Sequence, residues 1–481
     1  AGSAAAAVGD TADLRFTTFN TFLLGSAETR KAAIIEDLLA AADDTDAICL
    51  QEVWLDTDMR EIATALEEKL PHVAAWVNPH DSQPTMTQPA CQLGDLLGLL
   101  QCTDSCPDEM AAFEEAATAR AEASDSSDAD FAGEDAVLTA NVLNCMIEQC
   151  PDYMNNIVQN NGCYNCVTTV LLEGGDVQDC AFAASTSMRW DNGFGTMILS
   201  KHELLNERHL LLPTFFGQRA TIYAEIQPIE DADRIGIACN HLSSILSNMP
   251  HIGTEDSWEA ENMRDTQIVI DEIVNWEYTP PNLVVLGDLN HGIAVSVDGH
   301  EMQDEAPLAY TALLESDEFT NLYMEEMQAE GATFERSPCT WCNGENPLVL
   351  SSDNPSSIID HILVRGEGMD VTSTSRVFDR LDATSVEMAV SDGEGGITLQ
   401  DVDVPLSDHY GISVDVTYTG GEVSPDPPAP ADDDDEPAGD DAYDADDGAD
   451  DADDGEAIAA SSLSVSAAVM TVVVVALAAL L

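Results

Sequence analysis

Stretches of strand-like composition recur along most of this chain and alternate with stretches whose apolar residues fall at helical spacing. The strand-like stretches are "DLRFTTFNTFLL", "DAICLQEVWL", "FGTMILSK", "RATIYAEIQPI", "RIGIACNHLSS", "NLVVLGDLN", "SIIDHILVRG" and "HYGISVDVTY", rich in Val, Ile, Thr and aromatic residues. Between them, "TRKAAIIEDLLAAA", "DMREIATALEEKL" and "NMRDTQIVIDEIVNW" carry the helical period. Strands this apolar must hide both faces, and helices in between can cover one of them. The alternation therefore predicts an α/β body over residues 10–421.

The same apolar runs stop on polar residues. Asp288 and Asn290 end "NLVVLGDLN" on one side of the strand, where α/β folds gather ligand-binding groups. Asn20 ends "LRFTTFN", Glu52 follows "AICLQ", His241 ends "IGIACNH", Asp360 interrupts "SIIDHI", and Asp408 with His409 follows "PLS". One such ending reads as a turn; six of them read as a site.

Charge narrows the partners. The 481 residues include 16 Lys and Arg against 90 Asp and Glu, a formal net charge of -74. Sixteen of those acids lie in residues 424–481 with no base among them, so the body is itself acidic. Nucleic acids and anionic membranes are bound through Lys and Arg that displace counterions, so general DNA binding is disfavoured. An acidic surface suited to a salty habitat explains the charge equally well.

Twelve cysteines point to an oxidising compartment. Cys91, Cys102, Cys106, Cys145, Cys150, Cys163, Cys166 and Cys180 fall in residues 78–187, which read as a mostly helical, disulfide-bonded insertion. Cys339 and Cys342 read as a local staple, with a redox pair or half of a zinc site as alternatives, the other half being Cys163 and Cys166. Cys49 and Cys239, inside apolar strands, read as buried thiols.

Residues 422–457 form an acidic linker too polar to pack, and residues 458–481 a small-residue spacer followed by an apolar tail. The apolar run is shorter than the roughly 20 residues of a spanning helix. The pattern is that of a GPI-attachment signal, with Gly455, Gly448 or Ser461 as attachment site and a retained tail anchor as the alternative. With an N-terminal Ala in place of Met, as after leader removal, it places the chain outside the cell or on its surface.

The series Asn20, Gln51-Glu52, "GTMILS", Asn240-His241-Leu242, "GDLN", Ile359-Asp360-His361 and Ser407-Asp408-His409 resembles the endonuclease/exonuclease/phosphatase superfamily, the deoxyribonuclease I-like fold. The resemblance covers residues 12–418 and implies a four-layer α/β/β/α sandwich of two packed mixed sheets, with Mg²⁺-dependent hydrolysis of a phosphate ester. Mn²⁺, Ca²⁺ or Co²⁺ could replace Mg²⁺. By this resemblance Glu52 is a metal ligand, Asn20 holds a water of the cation or a phosphate oxygen, and Asp408 adds a second carboxylate. Asp288 orients or deprotonates the attacking water, while Asn290 and Arg219 contact phosphate. His409, partnered by Asp360, and His241 serve the phosphoryl group. Asp191 or Asn192 supports His241; His202, His251, His291, His300 and His361 are structural or solvent-facing.

For the substrate, "TWCNGENPLVL", "GTMILSK" and "RATIYAEI" are similar to secreted neutral sphingomyelinases, although Asn240 stands where that group has Thr and the insertion is not part of its pattern. The expectation is a sphingomyelinase or phospholipase C-like phosphodiesterase acting on a lipid headgroup. Alternatives are a secreted nuclease or a phosphatase of the same superfamily, and third a binding protein on an inactive scaffold.

Overall fold

The computed structural model describes residues 11–23, 27–76, 195–214, 219–246, 254–329, 331–334, 336–349, 355–391 and 397–420, with residue 251 and short pieces of the Cys-rich segment between 91 and 150. The rest of that segment lies outside the described residues, including Cys163, Cys166, Cys180, Asp191 and Asn192, as do the linker and tail with Gly448, Gly455 and Ser461.

Two mixed sheets form the body. The first contains β1 (Ala12–Asn20), β2 (Ala47–Gln51), β3 (His72–Ala75), β4 (Met197–Ser200), β12 (Met369–Val377) and β15 (Gly411–Tyr418), in the order β12-β15-β1-β2-β4-β3. The second contains β5 (Leu205–Leu212), β6 (Arg219–Ile226), β7 (Ile235–His241), β8 (Asn282–Asp288) and β11 (Asp360–Arg365), in the order β11-β8-β7-β6-β5. β1 runs parallel to β2 and β7 parallel to β8, whereas β15 and β11 pair antiparallel with β1 and β8. Helices α1 (Ala27–Ala41) and α2 (Asp56–Leu66) cover the outer face of the first sheet. There Ile34, Leu38, Met59 and Ile62 pack on Ile48, Leu50 and Leu199. Helix α3 (Trp258–Val269), its π-helical extension Ile270–Val274, and α4 (Pro307–Ser316) cover the second sheet through Val269, Ile273 and Leu313 on Leu283, Val285 and Leu363. Helix α5 (Leu322–Gln328) packs Tyr323, Met324 and Met327 into the core between the sheets.

Strand alternation carries the apolar pattern directly into the site. In β8, Val284 and Leu286 face the other sheet while Leu283 and Val285 face the helices. The same parity puts Asp288 at the mouth of the seam between the sheets. It does so for Asn20 after Phe16 in β1, His241 after Ile237 and Cys239 in β7, and Asp360 before Ile362 in β11. Leu286→Ala in this layer would cost about 2–5 kcal/mol.

All eight strand-like stretches form strands and all three helical patterns form helices. The strands that sequence did not single out are mainly edges: β3, β5 and β12 each pair on one side only. An edge strand with a wet flank tolerates polar residues, as in the "MDVTSTSRV" of β12, so the apolar signal is lost. Two ribbons, β9 (Val295–Val297) with β10 (His300–Met302) and β13 (Thr384–Ser391) with β14 (Ile397–Val404), lie outside both sheets.

One expectation is overturned. Cys49 and Cys239 are not thiols but a disulfide joining the two sheets, with Cα atoms 5.4 Å apart. Both face the seam, and nothing in a separation of 190 residues announces the pairing. Cys339 and Cys342 form the expected staple, which leaves no thiolates there for zinc. Cys102 pairs with Cys150 and Cys106 with Cys145, Cys91 is also disulfide-bonded, and no described cysteine is free.

Candidate functional site

Backbone geometry at the strand ends is specialised. Glu52 leaves β2 at φ 58° and Asn290 follows β8 at φ 49°, in the left-handed region that side chains rarely adopt. Gly287 has φ 142°, and a Cβ there would sit 2.0 Å from the Asn240 carbonyl oxygen, so only glycine lets β7 and β8 close up beneath His241 and Asp288. Asn240 itself is fully buried and satisfied by Ala238, Leu286 and Thr221.

Asn20 bridges two carboxylates: its Nδ2 donates to Glu52 Oε1 at 2.8 Å and to Asp288 Oδ2 at 2.9 Å. Trp54 Nε1 donates to the other Glu52 oxygen at 3.4 Å. Asp288 Oδ1 accepts the Asn290 backbone N–H at 3.0 Å, and Asn290 Nδ2 donates to the Leu242 carbonyl at 3.0 Å. His241 Nε2 lies 3.8 Å from Glu52 Oε1 and 3.6 Å from Asp288 Oδ2. Across the seam, His409 Nε2 lies 3.8 Å from the same Asp288 oxygen, while its Nδ1 contacts Asp360 Oδ2 at 2.9 Å.

Arg219 is only 1% exposed. Its Nη1 contacts His241 Nδ1 at 3.2 Å and its Nη2 donates to Ser244 Oγ at 2.8 Å. A guanidinium only donates, so Nδ1 of His241 accepts and the ring proton sits on Nε2, facing the carboxylates. That Nε2 is buried without a hydrogen-bond partner.

Electrostatics follow from this packing. Burial pushes Glu52 up to about 7, with the Asp408 charge adding and Arg219 opposing. Burial pushes Asp288 up to about 6, with His409 opposing and Asp360 adding. Asp408 is raised by burial, against the charges of His409 and Arg30. His241 is held well below the usual histidine value by burial and by Arg219. For His409, burial opposes the charged form, but Asp360, Asp288 and Asp408 outweigh it and hold the pKa well above the usual value.

Residues outside the six strand ends also contribute. Glu305, pushed up to about 7 by burial and by the Asp288 charge, adds a carboxyl bonded by Ser357 Oγ at 2.9 Å. It stands in the acid-rich "EMQDEAPL", where one more acid carries no signal. Thr340 Oγ1 accepts the backbone N–H groups of Ile359 and Asp360 at 3.0 and 3.2 Å, and Trp341 bridges to His409. Asn262 Nδ2, in α3, donates to the carbonyls of Ser243 (2.8 Å) and Leu289 (3.0 Å) behind His241 and Asp288. His291 and His361 are buried behind the site, where His361 Nε2 donates to the His291 carbonyl at 2.8 Å.

A divalent cation fits the donor set. Carboxylate oxygens of Glu52 and Asp288 lie within 4.8 Å of one another, as do those of Asp288 and Asp360, while the two histidines beside them present N–H groups and no free lone pair. Carboxylates with an adjacent carboxamide suit a hard, oxygen-loving ion. Their raised pKa values show how costly the bare negative charges are, a cost that a cation would offset.

Solved structures resemble this chain at low similarity. Sphingomyelinase C from Streptomyces griseocarneus is 13% identical with a TM-score of 0.40, covering 84% of this chain and 99% of that one. The beta toxin of Staphylococcus aureus, a mutant with bound magnesium ions, is 11% identical with a TM-score of 0.41, covering 85% and 100%. TDP2 from D. rerio, complexed with a single-strand DNA product, is 11% identical with a TM-score of 0.40, covering 84% and 98%. No curated protein matches the sequence. The model of the endonuclease/exonuclease/phosphatase family matches residues 17–409, across both sheets and every strand end described above, and the chain belongs to that family.

Proposed function

We propose that this protein is an extracytoplasmic, Mg²⁺-dependent phosphodiester hydrolase of sphingomyelinase or phospholipase C type. One observation carries the reading: Asn20, Glu52, His241, Asp288 and the Asp360–His409 pair meet at one mouth of the inter-sheet seam. When bound, the cation supplies charge neutralisation for the phosphate and its leaving oxygen. Glu52 would hold it, with Asn20 orienting the Glu52 and Asp288 carboxylates through its Nδ2 and Asp408 nearby. Asp288, oriented by Asn20 Nδ2 and the Asn290 N–H, takes a proton from the attacking water. The Nε2–H of His241 donates to a phosphoryl oxygen, and the charged His409, oriented by Asp360, stabilises negative charge as it develops.

Support for a lipid headgroup over nucleic acid comes from charge. Arg219, a base at the site, turns its two terminal nitrogens to His241 and Ser244, and the chain is strongly acidic. A polyanion needs an array of bases; a zwitterionic headgroup does not. The C-terminal spacer and apolar tail support anchoring at the cell surface through a GPI group.

Purified protein incubated with sphingomyelin, plasmid DNA and a bis-aryl phosphodiester, each with Mg²⁺ or EDTA, tests the reading. Sphingomyelin should turn over fastest, and EDTA should abolish turnover. Activity that persists in EDTA would refute the mechanism, and faster DNA cleavage would favour the nuclease. Release of the protein from expressing cells by phosphatidylinositol-specific phospholipase C tests the anchor; retention counts against it.

A further inference from the structure

Arg30, in the first turns of α1, is fully buried, at 0% exposure. Burying a guanidinium costs several kcal/mol unless good hydrogen bonds offset it, and an apolar side chain would fill an ordinary helix-to-sheet position. Arg30 donates to three backbone carbonyls. Nη1 donates to the carbonyls of Thr21 (3.3 Å) and Leu406, Nη2 donates to the carbonyl of Phe22, and the guanidinium carbon lies 5.3 Å from the Phe22 ring centroid.

Each of those carbonyls belongs to a loop that carries a cation-side residue. The Phe22 N–H donates to Asn20 Oδ1 at 3.0 Å, and Phe22 itself is held at φ 45°. Thr21 donates to the Gln51 carbonyl through both its N–H (3.0 Å) and its Oγ1 (2.8 Å), and the Leu23 N–H donates to the Glu52 carbonyl at 3.2 Å. Leu406 stands two residues before Asp408. The first and last parts of the domain thus meet on one buried side chain.

We propose that Arg30 is a positioning residue for the divalent cation: by clamping the loop after Asn20 to the loop before Asp408, it fixes the spacing of Asn20, Glu52 and Asp408. The inference rests on the cation site of the proposed function, and the test separates the two. Mn²⁺ is titrated calorimetrically into the full chain as wild type, Arg30→Gln, Arg30→Lys, Glu52→Gln and Ile34→Ala, a core change on the same helix. Arg30→Gln should weaken binding about 10- to 100-fold, the scale on which residues that orient ligands act. Arg30→Lys, which keeps the charge but not the reach, should fall between. Ile34→Ala should lose stability but not affinity.

Wild-type affinity in Arg30→Gln, or an equal loss in Ile34→Ala, overturns the proposal. Equal binding by wild type and Glu52→Gln strikes the cation site itself. Should Arg30→Gln fail to fold, Arg30→Lys and hydrogen exchange on the wild type decide. Adding Mn²⁺ should slow exchange of amides in 21–23 and 406–409 together, whereas protection of one loop alone refutes the clamp.

Discussion

His241 and His409 both face one carboxylate oxygen of Asp288, at 3.6 and 3.8 Å, and their surroundings differ in sign. Behind His241 stands Arg219, which with burial keeps the ring neutral. Behind His409 stands Asp360, which with Asp288 and Asp408 overcomes burial and keeps the ring charged. Two histidines at strand ends look alike in sequence, yet the residue bonded to each Nδ1 assigns one as a neutral donor and the other as a cation. Environments that push paired groups apart in this way divide labour in an active site.

The largest effect should come from the carboxylate they share. Asp288→Ala should lower kcat/KM by about 10⁴-fold, the upper end for a general base, with circular dichroism confirming the fold; retention of more than a tenth of the activity would refute its role. Next is the charged side. His409→Asn should cost about 10²- to 10⁴-fold. Asp360→Asn should cost less but move the alkaline limb of the pH profile to lower pH, because it removes a charge that raises the histidine pKa. On the neutral side the sign reverses. Arg219→Met should move the acid limb to higher pH, with a loss of about tenfold or more. Limbs shifting in the same direction in both variants would break the contrast.

How much of this could be read in the sequence depends on the range of each interaction. Parity within a strand is local, so the common side of Asp288 and the apolar residues before it could be read directly. The membership of Asn20, Glu52, Asp360 and His409 came from repeated strand endings. The two Nδ1 partners differ: Asp360 was legible because it shares the family pattern with His409, but the hold of Arg219 on His241 depends on the antiparallel register of β6 and β7, which pairs Ala220 with His241. Glu305 and Asn262 were invisible because an acid in an acidic chain, and an asparagine in a helix, carry no pattern. The Cys49–Cys239 bond was misread because inter-sheet packing decides it, and no local spacing reports that.

The carboxylates that both histidines face also predict a pH dependence. With cation chelated, the folded-state pKa of Glu52 near 7 and of Asp288 near 6 exceed their unfolded values. The folded state therefore binds more protons, and its stability should fall as pH rises from about 4.5 to about 7, by on the order of 2–3 kcal/mol for Glu52. His409 acts in the same direction, since its contribution is full below its unfolded value of about 6.5 and fades as pH rises towards its elevated folded value. Denaturant melts in EDTA should show this slope, Glu52→Gln should flatten it, and Mg²⁺ should restore stability at pH 7.5. A chelated protein whose stability rises across that range would show that the carboxyls are ionised without a cation.

The smallest catalytic effect should come from the disulfide. Cys49 lies three residues before Glu52 and Cys239 two before His241, so the bond ties the neutral-histidine half of the site across the seam. In Cys49→Ala/Cys239→Ala, opening a closed loop of this length should cost about 5 kcal/mol or less in stability. The bond is buried, with Cys49 at 1% and Cys239 at 0% exposure, so reductant alone should not cleave it in the native protein. Below the unfolding transition the site should persist, because Asn20 still bridges Glu52 and Asp288 by hydrogen bonds. The double variant should therefore keep kcat/KM within about tenfold of wild type at low temperature. A larger loss below the unfolding transition would mean that the disulfide itself holds Glu52 and His241 in place.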